Sequence, residues 1–216
     1  MRFLALILAG CAASLAQTPL DPSAAEWKSA AAVSLALNRT PPLYSTDAPA
    51  SLDIASVELR LLLGAAGNFV RLEWADKTHD TAAIAKAERA WQSEQLVKQS
   101  DATNRFNDAC AVMIPARPVV GDLSPSLQMG DAEHPVRIFL WDAARGAAIM
   151  EASGRETTKR TGQSFPAQGQ YKDGRWTVTM QLPAWPEGTP LAVAVWNGSQ
   201  QDRDGRKYFT IWFRPR

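Results

Sequence analysis

The segment Arg175-Trp176-Thr177-Val178-Thr179-Met180-Gln181-Leu182 alternates apolar and polar side chains without a fault, after the turn chemistry of Lys172-Asp173-Gly174. Successive side chains of a strand point to opposite faces, so this pattern calls for a half-buried strand and a sheet to bury it. The same period returns in Val57, Leu59, Leu61 and Leu63. After a turn at Gly64 to Asn68 it returns again in Phe69 to Trp74, which predicts a hairpin. Val136 to Trp141, Leu191 to Trp196 and Tyr208 to Phe213 complete the strong set, with Asn197-Gly198-Ser199 and Asp204-Gly205 as turns between the last two. Several strands joined by turns predict a mostly β chain folded as an antiparallel β-sandwich. Thr81 to Ser100 is rich in Ala, Glu, Lys and Gln, with Ile84, Ala87 and Trp91 near helical spacing, so one or two short helices are expected beside the strands. Ala116 to Gln128, with Pro118, Gly121 and Pro125, has neither period and is expected as a long loop, an element that often carries sites on β scaffolds.

A length of 216 residues gives room for one domain with a sizeable core. Met1-Arg2 followed by an apolar run from Phe3 to about Ala16 reads as a signal peptide and predicts a periplasmic, exported protein. Cleavage at Ser14-Leu15-Ala16 divides the chain into a signal at 1–16, an N-terminal linker at 17–26 and a domain at 27–216. Leu8-Ala9-Gly10-Cys11 competes with it, in the form of a lipobox that would make a lipoprotein through Cys11. No later apolar run reaches the roughly 20 residues of a membrane span. The net charge of +1 lacks the basic excess of a nucleic-acid binder, so no nucleic acid is expected as partner. Cleavage after Ala16 leaves Cys110 alone, and the absence of a Cys-x-x-Cys-His motif excludes haem held by thioether bonds.

Hydrolytic and nucleotide chemistry have no visible carrier. His79 and His134 are the only histidines and lie in no zinc spacing, and Gly-x-Ser-x-Gly, phosphate-loop and dinucleotide motifs are all missing. Asp202 and Asp204 sit among Arg203, Arg206 and Lys207 and read as a solvated turn rather than a calcium site.

Two segments are more specific. Ser126-Leu127-Gln128-Met129-Gly130-Asp131-Ala132-Glu133-His134-Pro135-Val136-Arg137-Ile138 puts a methionine at the end of the long loop, ahead of a strand. Val195-Trp196-Asn197-Gly198-Ser199, then Asp202-Arg203-Asp204-Gly205-Arg206-Lys207 and a strand containing Trp212, puts a lysine at the start of the last strand. With Asn107-Asp108-Ala109 before a strand at Ala111 to Ile114, and with Gly174-Arg175-Trp176, these segments resemble one known family over most of Trp27 to Phe213. It is the haem b-binding γ subunit of the type II dimethyl sulfoxide reductase family, the ethylbenzene dehydrogenase, dimethylsulfide dehydrogenase, selenate reductase and chlorate reductase group.

The resemblance implies a β-sandwich whose long loops cradle one non-covalent haem b, with Met129 and Lys207 as the axial ligands of the iron. Met113, Lys159 and Lys172 are rival ligands of the same types. It further implies an electron-transfer subunit without catalytic residues. Its partners would be an iron–sulfur β subunit and a molybdopterin α subunit, with a soluble periplasmic cytochrome or similar carrier as the external electron carrier. A thioether is a soft ligand that favours ferrous iron, and a neutral amine completes a six-coordinate centre, so the residue types suit this chemistry. Two other readings use the same fold: a carbohydrate-binding module that stacks sugars on Trp141 or Trp185, and a haemless subunit that holds partners together.

Overall fold

The computed structural model describes residues 18–40, 52–64, 67–82 and 106–215. Among these the chain is mostly β, two antiparallel sheets packed face to face as a sandwich. The first sheet runs, in spatial order, β1 (Ala32–Ala36), β3 (Ser56–Gly64), β4 (Gly67–Ala75), β10 (Arg175–Leu182) and β9 (Ala167–Lys172). The second runs β2 (Asn38–Arg39), β12 (Tyr208–Phe209), β11 (Ala192–Trp196), β5 (Ala109–Pro115), β6 (Val136–Asp142), β7 (Gly146–Ala152) and β8 (Lys159–Arg160).

The alternation seen in the sequence sets the register. In β10 the apolar Trp176, Val178, Met180 and Leu182 lie opposite Trp74, Leu72, Val70 and Asn68 of β4, and the three apolar pairs share the core face. From the second sheet Cys110, Val112, Phe139, Trp141, Val193 and Val195 meet them. Fully burying a side chain of this size stabilises by about 1.5–3 kcal/mol, so this shared face is the main driving force for closing the sandwich. Gly169 in β9 is required by that packing, because a Cβ there would stand 2.1 Å from the Trp141 ring. Trp141 is buried and edge-on to Trp176 at 5.1 Å between centroids, so it offers no platform for a sugar.

The helix expected over Thr81 to Ser100 lies outside the described residues except at 81–82. A different short helix, α1 (Glu26–Ser29), lays Trp27 on the outer face of the first sheet beside Leu62 and Phe69. Within the stretch expected as a linker, residues 18–25 form turns, the Trp27 indole donates to the Pro19 carbonyl at 2.9 Å, and Thr179 donates to the Leu20 carbonyl. Residues 116–135 carry no strand or helix, as expected of the long loop. The last expected strand shrinks to Tyr208–Phe209, followed by a single bridge between Leu191 and Phe213, because the Thr210 hydroxyl takes the Val193 amide in place of a backbone carbonyl.

Candidate functional site: an apolar outer face between Met129 and Lys207

A sandwich sheet exposed on its outside should present polar residues there. The second sheet does not. Its outer face carries Ala109, Ala111 and Met113 of β5, Val136, Ile138 and Leu140 of β6, Met150 and Ala152 of β7, and Ala194 and Trp196 of β11. Ala109, Ala111, Val136, Ile138, Ala152 and Trp196 are all buried. Ala111 and Ala194 lie side by side on this face, with Leu140, Met113 and Trp196 around them. Trp212 and Met129 pack onto this cluster from outside the sheet.

Met129 reaches the face from the long loop, and the loop is tied down around it. The Trp212 indole donates to the Pro125 carbonyl at 2.7 Å, the Gly130 amide to the Ser126 carbonyl at 2.8 Å, and the Gly154 amide to the Met129 carbonyl at 2.9 Å. Asp131 closes the far side by accepting from the amides of Glu133 and His134. Met129 has φ +69° and Gly130 φ +72°. A left-handed conformation costs an ordinary L-residue about 1–2 kcal/mol, and a methionine has no local side-chain hydrogen bond to offset it. Strain held in place by so many ties is a mark of a functional position.

Lys207 stands immediately before β12, with its amine 5.4 Å from the centre of the Trp196 ring, so it bears on the same face. Its carbonyl accepts from the amide and hydroxyl of Thr40, each at 3.0 Å. Burial pushes the amine down to about 8, the guanidinium of Arg155 pushes the same way, and Asp204 opposes both. The Trp196 indole in turn donates to the Asp204 carbonyl at 3.1 Å. Met129 and Lys207 thus both border one apolar surface, and the turn Ser153–Thr158 is bonded to the Met129 carbonyl through Gly154 and lies within electrostatic range of Lys207 through Arg155. Of the rival ligands only Met113 shares this face. Lys159 is exposed on β8 opposite Glu151, and Lys172 is exposed at the end of β9 in the other sheet.

The segment carrying Lys207 is anchored by buried carboxylates. Asp108 accepts from the Trp176 indole at 2.9 Å, the Gly198 amide at 2.9 Å and the Asp80 amide at 2.7 Å. Gly198 has to be glycine, since a Cβ would stand 1.9 Å from the Phe106 carbonyl oxygen. Asp76 accepts from the Thr78 amide at 3.1 Å and the Asn197 side chain at 3.3 Å. Burial, then the charge of Asp108, raises its carboxyl to about 6. Asp202, expected as a solvated turn residue, is instead buried and paired with both terminal nitrogens of Arg39, while it also accepts from the Asn197 amide. Arg39 lies 163 residues away in sequence, so no local signal announces the pair. His134 pairs with Asp131 at 3.2 Å, and His79, though exposed, stacks on Tyr171 at 4.8 Å. Among the described residues no three His, Cys, Asp or Glu side chains gather to hold a metal ion. A soft thioether and an amine lowered toward neutrality, beside an apolar surface, are donor types and a lining that would suit a haem. Two surface clefts among the described residues lie elsewhere, one at Pro115, Val120 and His134 and one at Asp122, Glu187 and Arg214, and neither is lined by Met129 or Lys207.

No protein-family model matches the chain. It is similar to a protein of Ideonella dechloratans named chlorate reductase subunit gamma, 28% identical over 213 residues, spanning 91% of this chain and 79% of that protein. Dimethylsulfide dehydrogenase subunit gamma of Rhodovulum sulfidophilum is 28% identical over 162 residues, 66% of this chain and about half, 53%, of its own length. A protein of Haloferax mediterranei, provisionally named respiratory nitrate reductase heme subunit ORF7, is 29% identical over 210 residues, 90% of this chain and 67% of its own. The chain is therefore similar, over two thirds to nine tenths of its length, to proteins named as gamma or heme subunits of reductases and a dehydrogenase.

Proposed function

We propose that this chain binds one haem b non-covalently, with Met129 and Lys207 as axial ligands, and carries single electrons as the γ subunit of a periplasmic molybdenum oxidoreductase. The observation that carries this reading is the convergence of a strained methionine and a lysine of lowered pKa on one buried apolar face. The names of the relatives support a haem and a subunit role. Its partners in this reading are an iron–sulfur β subunit and a molybdopterin α subunit, and a soluble periplasmic cytochrome or similar carrier completes the path. A six-coordinate haem, when bound, supplies a one-electron couple with no open position for substrate or oxygen. The chain's own residues do the rest. The Met129 thioether would favour the ferrous state, the Lys207 amine would have to give up its proton to serve as a ligand, and the apolar face would keep water from the site.

Haem added to the folded apoprotein should give a low-spin spectrum whose pigment acid acetone extracts. Met129→Ala should keep the pigment, change the ferrous spectrum and lower the reduction potential. A folded protein that stays colourless would overturn the reading. In the native host, co-purification with iron–sulfur and molybdenum subunits supports the partnership, and isolation as a lone monomer counts against it. The N-terminus of the mature chain tests export: a start at Gln17 supports cleavage after Ala16, a lipid-modified Cys11 supports the lipoprotein form, and an intact Met1 refutes both.

A further inference from the structure

The turn between the two ligands carries a cation that the proposed function has not used. The 3-10 turn Arg155–Thr157 follows Gly154, whose φ of +126° and ψ of 160° suit glycine alone, and whose amide is bonded to the Met129 carbonyl. Thr157 locks the turn, its hydroxyl donating to the Gly154 carbonyl at 2.8 Å and accepting from the Ser153 amide at 2.7 Å. Arg155 is therefore carried on a rigid loop. Its guanidinium lies within electrostatic range of the Lys207 amine, and it has no ion pair with a carboxylate among the described residues. Two cations within range of one another beside an apolar surface repel unless an anion joins them. One strand along, Arg160 of β8 stands opposite Met150, and cross-strand partners share a face, so a second exposed arginine borders the same surface.

We propose that Arg155, with Arg160 beside it, is the carboxylate-binding rim of the apolar face, and that it takes the acidic side groups of the haem and so fixes which edge of the ring lies outward. The inference rests on the haem reading above. A planar ring held only through its iron is free to rotate about the iron–ligand axis. Two ligands along that axis do not stop it, whereas a charge at one edge does. Arg suits the task because its planar fork meets a carboxylate with two parallel hydrogen bonds.

Haem and its dimethyl ester, which lacks both carboxylate charges, separate this from ligation. Affinities are measured by absorption titration for wild type, Arg155→Gln and Arg155→Gln/Arg160→Gln. An exposed charge pair is worth about 1 kcal/mol, so Arg155→Gln should weaken haem about fivefold, the double variant should weaken it further, and the ester should bind all three proteins alike. Raising the salt to about 1 M should shrink the wild-type advantage. Equal losses for haem and ester, or no loss for either, overturn the assignment while leaving the ligation reading intact. A wild type that binds neither compound overturns both.

Discussion

A lysine binds iron only as the neutral amine, so the fate of one proton decides whether Lys207 can serve. A free lysine has a pKa of about 10.4, and holding it neutral at pH 7 costs about 4.6 kcal/mol at 1.36 kcal/mol per unit. Burial over Trp196, followed by the charge of Arg155, brings the amine down to about 8. The remaining cost at pH 7 is then about 1.4 kcal/mol, which a single iron–nitrogen bond can exceed. The sign of the pH effect follows. Protons compete with iron for the amine, so acid should release it, with a midpoint below 8 because the iron bond adds to what the fold has already done. In the haem-loaded protein, a spectral titration from pH 9 to pH 4 should show one ligand exchange, and Lys207→Ala should abolish it. The same titration curve in both proteins would remove Lys207 from the iron. Met129 has no proton to gain and should stay bound across the range.

At the scale of elements, the long loop presents Met129 by means of two successive left-handed residues, and only the second can be explained by its neighbours. A Cβ at Gly130 would stand 2.6 Å from the His134 carbonyl oxygen, whereas at Gly121, φ +59°, it would meet nothing within 4 Å. Gly130→Ala should therefore cost about 2–3 kcal/mol of stability and Gly121→Ala about 1, the difference being the steric term. Thermal or denaturant unfolding of the two variants checks this, and equal costs would mean that the loop yields at His134. Such backbone demands are hard to read in a sequence, where Met129-Gly130 is only a turn-like pair. Strands differ in the same way. β3, β4, β6 and β10 were legible because apolar residues alternate along them, leucines in β3 and β-branched and aromatic residues in β4, β6 and β10. β7 (Gly146–Ala152) and β9 (Ala167–Lys172) were not, since Ala, Gly and Gln carry little strand propensity, and Gly169 is there to make room for the Trp141 ring.

On the scale of the whole molecule, the two sheets are joined by more than their apolar core. Trp176 in the first sheet and Gly198 after the last long strand of the second both bond to Asp108, and Asp76, just after β4, accepts from the side chain of Asn197, just after β11, at 3.3 Å. The segments Asn107-Asp108-Ala109, Gly174-Arg175-Trp176 and Trp196-Asn197-Gly198, which carried the family resemblance, therefore meet in one polar knot at the root of the Lys207 segment. Their chemistry was not legible in sequence, because a buried aspartate looks like a loop aspartate until its donors arrive from distant strands. The knot has a measurable weakness. Oδ2 of Asp76 and Nε1 of the adjoining Trp74 are both buried without a hydrogen bond, and the Asp76 carboxyl titrates near 6 because burial, then Asp108, disfavours its charge. A pKa raised above the unfolded value of about 3.9 means that the folded state binds more protons between those limits. Stability from this group is thus fully present below about pH 4 and is lost as pH rises through 6, by at most about 3 kcal/mol for two units. Asp76→Asn cannot ionise and keeps Oδ1 for Thr78 and Asn197, although its amide nitrogen offers the Trp74 indole N–H no acceptor, which trims the gain. It should stabilise the protein by about 1–2 kcal/mol at pH 8, leave it near wild type at pH 4, and flatten the stability profile between them. Denaturant midpoints at several pH values test this, and a variant that kept the wild-type slope from pH 4 to pH 7 would show that another group, Asp108 first, holds the proton.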